Sequence, residues 1–207
     1  MATEIFSETF DHPSLDARLS WRCPPSAWSV ANSRLTIQPD VNTDFWQKTH
    51  YGFEADNGHF LFMRQESNLV LSTKVRLFPV HQYDQAGLMV RFSPQCWLKT
   101  SVEFEPDGPS RLGVVVTNEG YSDWSTQDFS DLADQLAFRI RREGDDFSVE
   151  CSHGRERNRS PEVWSQLRVA HLHLPKGAAI ECGLYACSPK DKGFRAEFSL
   201  LKIKKAT

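Results

Sequence analysis

The 207-residue chain has no long apolar run and only a small excess of charge. No stretch approaches the roughly 18 consecutive apolar residues that a membrane-spanning helix needs, so we expect no membrane association. Lys and Arg number 24 and Asp and Glu 27, a net charge of −3, which argues against a surface built to coat nucleic acid. The N-terminal residues lack the basic and apolar regions of a secretory signal, and we therefore expect a cytoplasmic protein.

Motifs that mark common cofactors and nucleophiles are also missing. The sequence contains no CxxC pair, no GxSxG and no glycine-rich phosphate loop, so neither a structural zinc site nor any cofactor is predicted. The number of cysteines is odd, which together with the missing signal predicts reduced thiols. The five are Cys23, Cys96, Cys151, Cys182 and Cys187.

Hydrophobic periodicity is almost everywhere that of a β-strand. Residues Leu69–Leu77 alternate over the second half of the range, Trp97–Phe104 alternate throughout, and Pro106–Pro109 is a strong turn signal. Residues Phe129–Leu136 are the only helical candidate, of one or two turns at most. About ten to twelve strands without any βαβ unit predict an all-β fold, an antiparallel two-sheet jelly-roll sandwich, with a barrel as the second choice. We expect one domain over residues 1–207.

The most informative feature of the composition is its six tryptophans. Two segments combine aromatic and hydrogen-bonding residues, Asp44–Gly52 and Glu119–Ser125, and both read as loops or strand ends. Aromatic rings beside carboxylates, amides and hydroxyls suit a sugar, which has an apolar CH face and a polar hydroxyl rim. The alternative is that the tryptophans cap the core of a large sandwich.

The strand that begins near Trp97 carries a second set of candidates. Trp97, Lys99 and Glu103 project from one side at steps of about 6–7 Å, because strand side chains alternate. If the preceding strand pairs with this one, Arg91 joins the same face. The alternative is an ordinary solvated outer face that carries charge.

Signals for catalysis or metal binding are weak. Glu103 and Glu105 stand two residues apart and resemble the carboxylate pair of glycosidases, but Glu105 is expected at a strand end in solvent. His171 and His173 share a strand face, where a solvated surface is the preferred interpretation over a metal site. No catalytic residue and no metal ligand are predicted.

Several longer motifs stand out along the chain: Tyr83–Arg91, Trp97–Glu103, Val114–Thr117, Tyr121–Ser125 and Gly183–Pro189. Together with the early segment Trp21–Val30, they resemble those of an uncharacterised family of concanavalin A-like jelly rolls, which includes a fungal "regulation of enolase" protein. That fold is also similar to the accessory β-sandwich domain of family 43 glycoside hydrolases.

The resemblance implies two packed antiparallel sheets, one of them concave, in a fold used repeatedly for glycans. It supplies no catalytic residues. We therefore expect a non-catalytic carbohydrate-recognising or regulatory module of cytoplasmic carbohydrate metabolism. The alternatives are a protein-interaction regulator of a metabolic enzyme and an unrecognised glycoside hydrolase or sugar-modifying enzyme. The candidate sugar-binding residues are Trp46, Tyr51, Arg91, Trp97, Lys99, Glu103, Tyr121 and Trp124.

Overall fold

The computed structural model describes residues 3–130, 132, 135–153 and 163–206. Within these residues the secondary structure consists of strands, and there is no helix long and apolar enough to cross a membrane. The strands are β1 Glu4–Glu8, β2 Ser20–Arg22, β3 Ala27–Val30, β4 Leu35–Gln38, β5 Phe45–Trp46, β6 Ala55–Asp56, β7 His59–Gln65, β8 Leu69–Phe78, β9 Gln85–Ser93, β10 Cys96–Glu103, β11 Ser110–Asn118, β12 Tyr121–Phe129, β13 Leu136–Glu143, β14 Asp146–His153, β15 Ser165–His171, β16 Ile180–Cys187 and β17 Arg195–Lys205.

The strands form two large antiparallel sheets that pack face to face. The back sheet has the order β15-β14-β13-β8-β17-β4-β3, with β1 paired to β17. The front sheet has the order β12-β11-β10-β9-β16-β7-β2. Side chains from the facing sides, such as Leu71, Leu88, Leu98 and Phe198, join one apolar core between them. The prediction of an all-β, two-sheet sandwich is thus confirmed.

The two sheets differ in how their outer faces are covered. Side chains of β8 in the back sheet alternate strictly between buried and half-buried, because one face of the strand packs on the core and the other faces outward. Every residue of β10 in the front sheet is buried. A second layer must therefore cover the outer face of the front sheet, and the alternative interpretation, an ordinary solvated face, is wrong.

That layer is the segment of residues 41–58, which we call the strap and which contains the short pair β5 and β6. Its first part is held at the end of β16, where the Ser188 backbone N–H donates to Thr43 Oγ1 at 2.9 Å. Further along, the Gln47 backbone N–H donates to Ser122 Oγ on β12 at 2.9 Å. The strap therefore crosses the front sheet from β16 to the edge strand β12.

Some elements differ from the sequence-based prediction. The described part of the chain contains seventeen strands rather than ten to twelve, because short strands such as β2, β5 and β6 have too few residues to show a period. The segment Glu119–Ser125, expected in a loop or at a strand end, comprises two turn residues and the first five residues of the nine-residue edge strand β12. The predicted helical turn at 129–136 lies between β12 and β13, and residues 131, 133 and 134 within it are outside the described residues.

All five cysteines are unpaired. Burial raises the pKa of the Cys96 and Cys151 thiols to about 11 and that of Cys182 to about 12. Since the thiolate is the reactive form, these three side chains behave as small apolar core residues.

Candidate functional site

Aromatic packing fixes the strap on the outer face of the front sheet. The Phe45 ring lies 6.1 Å from that of Trp97 and 6.3 Å from that of Tyr185, measured between ring centroids. Gly58 leaves room for this arrangement, because a Cβ atom there would collide with the Phe45 ring and the Cys187 sulfur. Phe45, Trp46, Trp97 and Tyr185 thus belong to a second apolar cluster, separate from the core between the sheets.

Two cations of the front sheet lie beneath the strap, and strap carboxylates neutralise both. The Arg91 guanidinium is 1% exposed and donates to the two carboxylate oxygens of Asp56 at 2.5 and 2.7 Å. The Lys99 ammonium is 2% exposed and donates to Asp44 Oδ1 at 3.2 Å. Buried charges require such partners, so these two ion pairs hold the strap on the sheet.

Lys99 is also part of a buried hydrogen-bond network. Its Nζ donates to Gln85 Oε1 at 2.9 Å, and the same oxygen accepts a bond from the Tyr185 hydroxyl at 3.1 Å. Burial alone would lower the pKa of Lys99, but the negative charges of Asp44 and Glu103 outweigh this and raise the pKa above its ordinary value. Lys99 is therefore a fixed positive charge on the outer face of the front sheet.

Glu103 follows Lys99 on the same face of β10 and is 9% exposed. Burial raises the pKa of its carboxyl to about 7, and the charges of Asp44 and Glu105 add to the rise while Lys99 opposes it. The raised pKa means that the protonated carboxyl, which both donates and accepts hydrogen bonds, persists to higher pH than in an ordinary glutamate.

A cleft of about 420 Å³ opens between the strap and the strands β10 to β12. Its floor includes Lys99 and Glu103, and aromatic rings form much of its walls. Trp124 is accommodated because position 113 is glycine: a Cβ atom there would lie 2.9 Å from the Trp124 indole nitrogen. The lining residues are Asp44, Trp46, Tyr51, Phe53, Tyr83, Lys99, Glu103, Glu105, Arg111, Trp124 and Lys190.

Five of the eight candidate residues line this cleft, although they come from distant parts of the sequence. They are Trp46, Tyr51, Lys99, Glu103 and Trp124. Trp46 is largely buried, and its indole N–H donates to the Thr49 carbonyl oxygen at 2.8 Å, so Tyr51 and Phe53 present the more exposed rings.

The other three candidates lie elsewhere. Arg91 and Trp97 are on the predicted face of the sheet, but the strap covers them and they do not line the cleft. Tyr121 is 62% exposed and lies outside the cleft, with Lys48 Nζ 5.0 Å from the centre of its ring. Alternation places a side chain on a face of the sheet, but it does not show which part of that face a distant segment covers.

Sequence reasoning did not assign several residues of the cleft. Asp44 begins one of the aromatic segments, and its position beside those rings was a usable signal. Tyr83 lies within a motif that carried the family resemblance. Phe53 directly follows the Asp44–Gly52 segment, so its position was a usable signal as well. Arg111 and Lys190 have no local signal, because each reaches the cleft only through the fold.

The histidine pair lies on the surface, with His171 at the end of β15 and His173 in the loop that follows. His171 Nδ1 is 2.8 Å from Asp146 Oδ1, and His173 Nδ1 is 3.2 Å from Glu119 Oε1. Among the described residues, no group of three or more His, Cys, Asp and Glu side chains is arranged to hold a metal ion.

Comparison with solved structures first defines the class of the fold. The GH43 protein BlXynB from Bacillus licheniformis matches 97% of this chain with 39% of its own length, at a TM-score of 0.73 and 16% identity. A functionally unknown protein from Saccharomyces cerevisiae matches with a TM-score of 0.81 and 30% identity, over 92% of this chain and 98% of its own. The chain is therefore a β-sandwich of the type found in GH43 proteins.

Sequence comparison then gives the family. A family model described as "Protein of unknown function (DUF1349)" matches residues 21–206, and the chain belongs to this family. A relative from Saccharomyces cerevisiae, "Regulation of enolase protein 1", is 32% identical over 180 residues, which cover 87% of this chain and 86% of the relative. The resemblance stated from the sequence motifs is thus confirmed.

Proposed function

We propose that the protein is a non-catalytic carbohydrate-recognising module that acts as a regulator of carbohydrate metabolism in the cytoplasm. The observation that carries the proposal is the cleft, in which the rings of Tyr51, Phe53 and Trp124 surround a polar floor of Lys99 and Glu103. Such rings pack against the CH faces of sugars, and the charged groups bind their hydroxyls. The name of the yeast relative supports the regulatory part of the proposal.

The decisive experiment measures the binding of neutral sugars to the wild-type protein and to two variants, Trp124→Ala and Tyr121→Ala. Xylo-, gluco- and galacto-oligosaccharides are first screened by thermal shift, since a ligand that binds only the native state raises the melting temperature. Calorimetry then gives the affinity of any sugar that produces a shift. We expect Trp124→Ala to weaken binding about tenfold or more.

Tyr121→Ala provides a matched control, because it removes an exposed aromatic ring from the same strand but outside the cleft. Its affinity for the sugar should equal that of the wild type. An unchanged affinity in Trp124→Ala, or an equal loss in both variants, would contradict the proposed site. If no sugar of the panel raises the melting temperature of the folded protein, carbohydrate recognition itself is contradicted.

A second candidate function is regulation through a protein partner, which the name of the yeast relative favours. Tyr51 and Phe53 on the rim of the cleft are 53% and 45% exposed and would be contact residues for such a partner. Sedimentation of the purified protein mixed with enolase tests this directly. A complex that Tyr51→Ala weakens, together with no response to sugars, would favour this candidate.

A third candidate function is sugar hydrolysis, because three carboxyl groups line the cleft: Asp44, Glu103 and Glu105. A carboxyl group with a pKa near 7 is a feature of general acids. Release of reducing ends from a bound oligosaccharide, lost in Glu103→Gln, would replace the non-catalytic proposal by a hydrolase.

A further inference from the structure

A second compartment adjoins the cleft on the side of β6. It has a volume of about 590 Å³, and the residues that line it but not the cleft are Asn42, Glu54, Ala55, Asp56, Asn57 and Pro189. Five of these six come from the strap. The strap therefore has two concave sides, and only one of them belongs to the cleft already described.

The two compartments are adjacent, because four residues line both. Asp44, Phe53, Tyr83 and Lys190 form this shared boundary. Each volume falls within the range of about 300–1,000 Å³ that is usual for small-molecule sites. A ligand that occupied only the cleft would leave the larger compartment beside it filled with water.

Aromatic rings run along the strap from the cleft to the boundary. The centroids of Tyr51 and Phe53 are 6.4 Å apart, and their ring planes are inclined by 31°. Both rings are about half exposed. Two neighbouring rings in similar orientation give apolar surfaces for two neighbouring rings of a ligand.

The second compartment also offers hydrogen-bond acceptors beyond the boundary. Asp56 holds Arg91 with both carboxylate oxygens, yet each oxygen has a further lone pair for a hydroxyl donor. Glu54 is exposed, and its carboxylate adds two more acceptor oxygens. The chemistry therefore repeats that of the cleft: an aromatic surface beside groups that bind hydroxyls.

We propose that the second compartment is a further sugar subsite, so that the ligand is an oligosaccharide whose successive units pass Phe53. The inference rests on the proposed carbohydrate-binding function and gives the class of ligand. A single sugar fills the cleft, and the second and third units contact Glu54, Ala55 and the boundary residues. Affinity consequently increases with the length of the sugar chain.

Calorimetry with two neutral series tests this dependence on length: glucose, maltose and maltotriose, and xylose, xylobiose and xylotriose. In the series that binds, we expect the trisaccharide to bind about tenfold more tightly than the monosaccharide. Glu54→Ala removes a carboxylate of the second compartment, and Ala55→Leu fills part of its space. Both variants should lose the gain from added length and keep the wild-type affinity for the monosaccharide.

Two further variants are the controls. Trp124→Ala affects only the cleft and should weaken binding of all lengths by the same factor. Asp107→Ala removes an exposed carboxylate from the turn after β10 and should change nothing. Thermal unfolding confirms that Ala55→Leu is folded, and Glu54→Ala keeps the test valid if it is not.

The outcomes separate the two proposals. Equal affinity for one and three sugar units would overturn the second subsite and leave carbohydrate binding intact. A gain with length that survives in Glu54→Ala would place the added units elsewhere and would also overturn the inference. Failure of every length to bind the folded wild-type protein would overturn the proposed function, and the second subsite with it.

Discussion

Both faces of the front sheet are buried, but the layers that cover them differ in composition. Between the sheets, side chains such as Leu88 and Leu98 belong to one large apolar cluster. Beneath the strap, aromatic rings share the layer with Arg91 and Lys99, whose charges depend on Asp56 and Asp44. An apolar layer tolerates many partners of suitable size, whereas a charged layer requires the right partner at each position.

The largest expected effect comes from breaking the Arg91–Asp56 pair. Asp56→Ala leaves the guanidinium buried without its carboxylate, and we expect the free energy of unfolding to fall by about 3 kcal/mol. Urea denaturation monitored by tryptophan fluorescence measures this loss. The double variant Arg91→Met with Asp56→Ala should be more stable than Asp56→Ala alone, because the unpaired charge is then absent. A double variant that is less stable than Asp56→Ala would mean that the unpaired charge is not the cause of the loss. The layer beneath the strap would then not differ from the apolar core in requiring matched charges.

A smaller effect concerns the pH dependence that Glu103 gives to the charged layer. Its pKa is about 7 in the folded protein and near the ordinary value of 4.5 in the unfolded chain. The folded state therefore binds the proton more tightly between these values, and its stability decreases as the pH rises through 7. From pH 5 to pH 8 we expect this carboxyl to remove on the order of 2 kcal/mol from the free energy of unfolding.

Glu103→Gln should lack this decrease. The difference in stability between the variant and the wild type, measured by urea unfolding at pH 5, 6, 7 and 8, should therefore shift in favour of the variant as the pH rises. Comparing the two proteins at each pH cancels the contribution of the seven histidines. A difference that is the same at pH 5 and pH 8 would contradict the raised pKa.

The smallest effect is expected for an ion pair that no second layer covers. Arg111 contacts Asp128 across β11 and β12, and their side chains are 41% and 66% exposed. Exposed pairs contribute about 0–1 kcal/mol, so Asp128→Ala should change the stability by no more than that. A loss as large as that of Asp56→Ala would show that burial beneath the strap is not what distinguishes the Arg91 pair.

The sequence predicted the sandwich because alternation repeats in long strands. Residues of β8 alternate between buried and half-buried along the whole strand, and the predicted boundaries of β8 and β10 agree with the structure within two residues. The faces of these strands were also predictable, which is why Lys99 and Glu103 were correctly placed on the same side.

The strap was not predictable from local sequence. Its strands β5 and β6 have two residues each, and the partners of Asp44 and Asp56 lie 55 and 35 positions away. No local pattern links a carboxylate to a cation at such separations. For the same reason Arg91 and Trp97 were placed on the right face but assigned to a ligand instead of to the strap that covers them.

Grafting the strap from one family member to another would have to preserve two ion pairs between the strap and the front sheet. Asp44 and Asp56 travel with the graft, but the cations that they hold stay behind on β10 and β9. A recipient sandwich without a lysine at position 99 and an arginine at position 91 would receive two carboxylates with nothing to fasten to. Exchanging the proposed binding surface therefore means moving at least three separate pieces of sequence together. In a chimera that receives residues 41–58 alone, we expect that the strap does not pack on the front sheet.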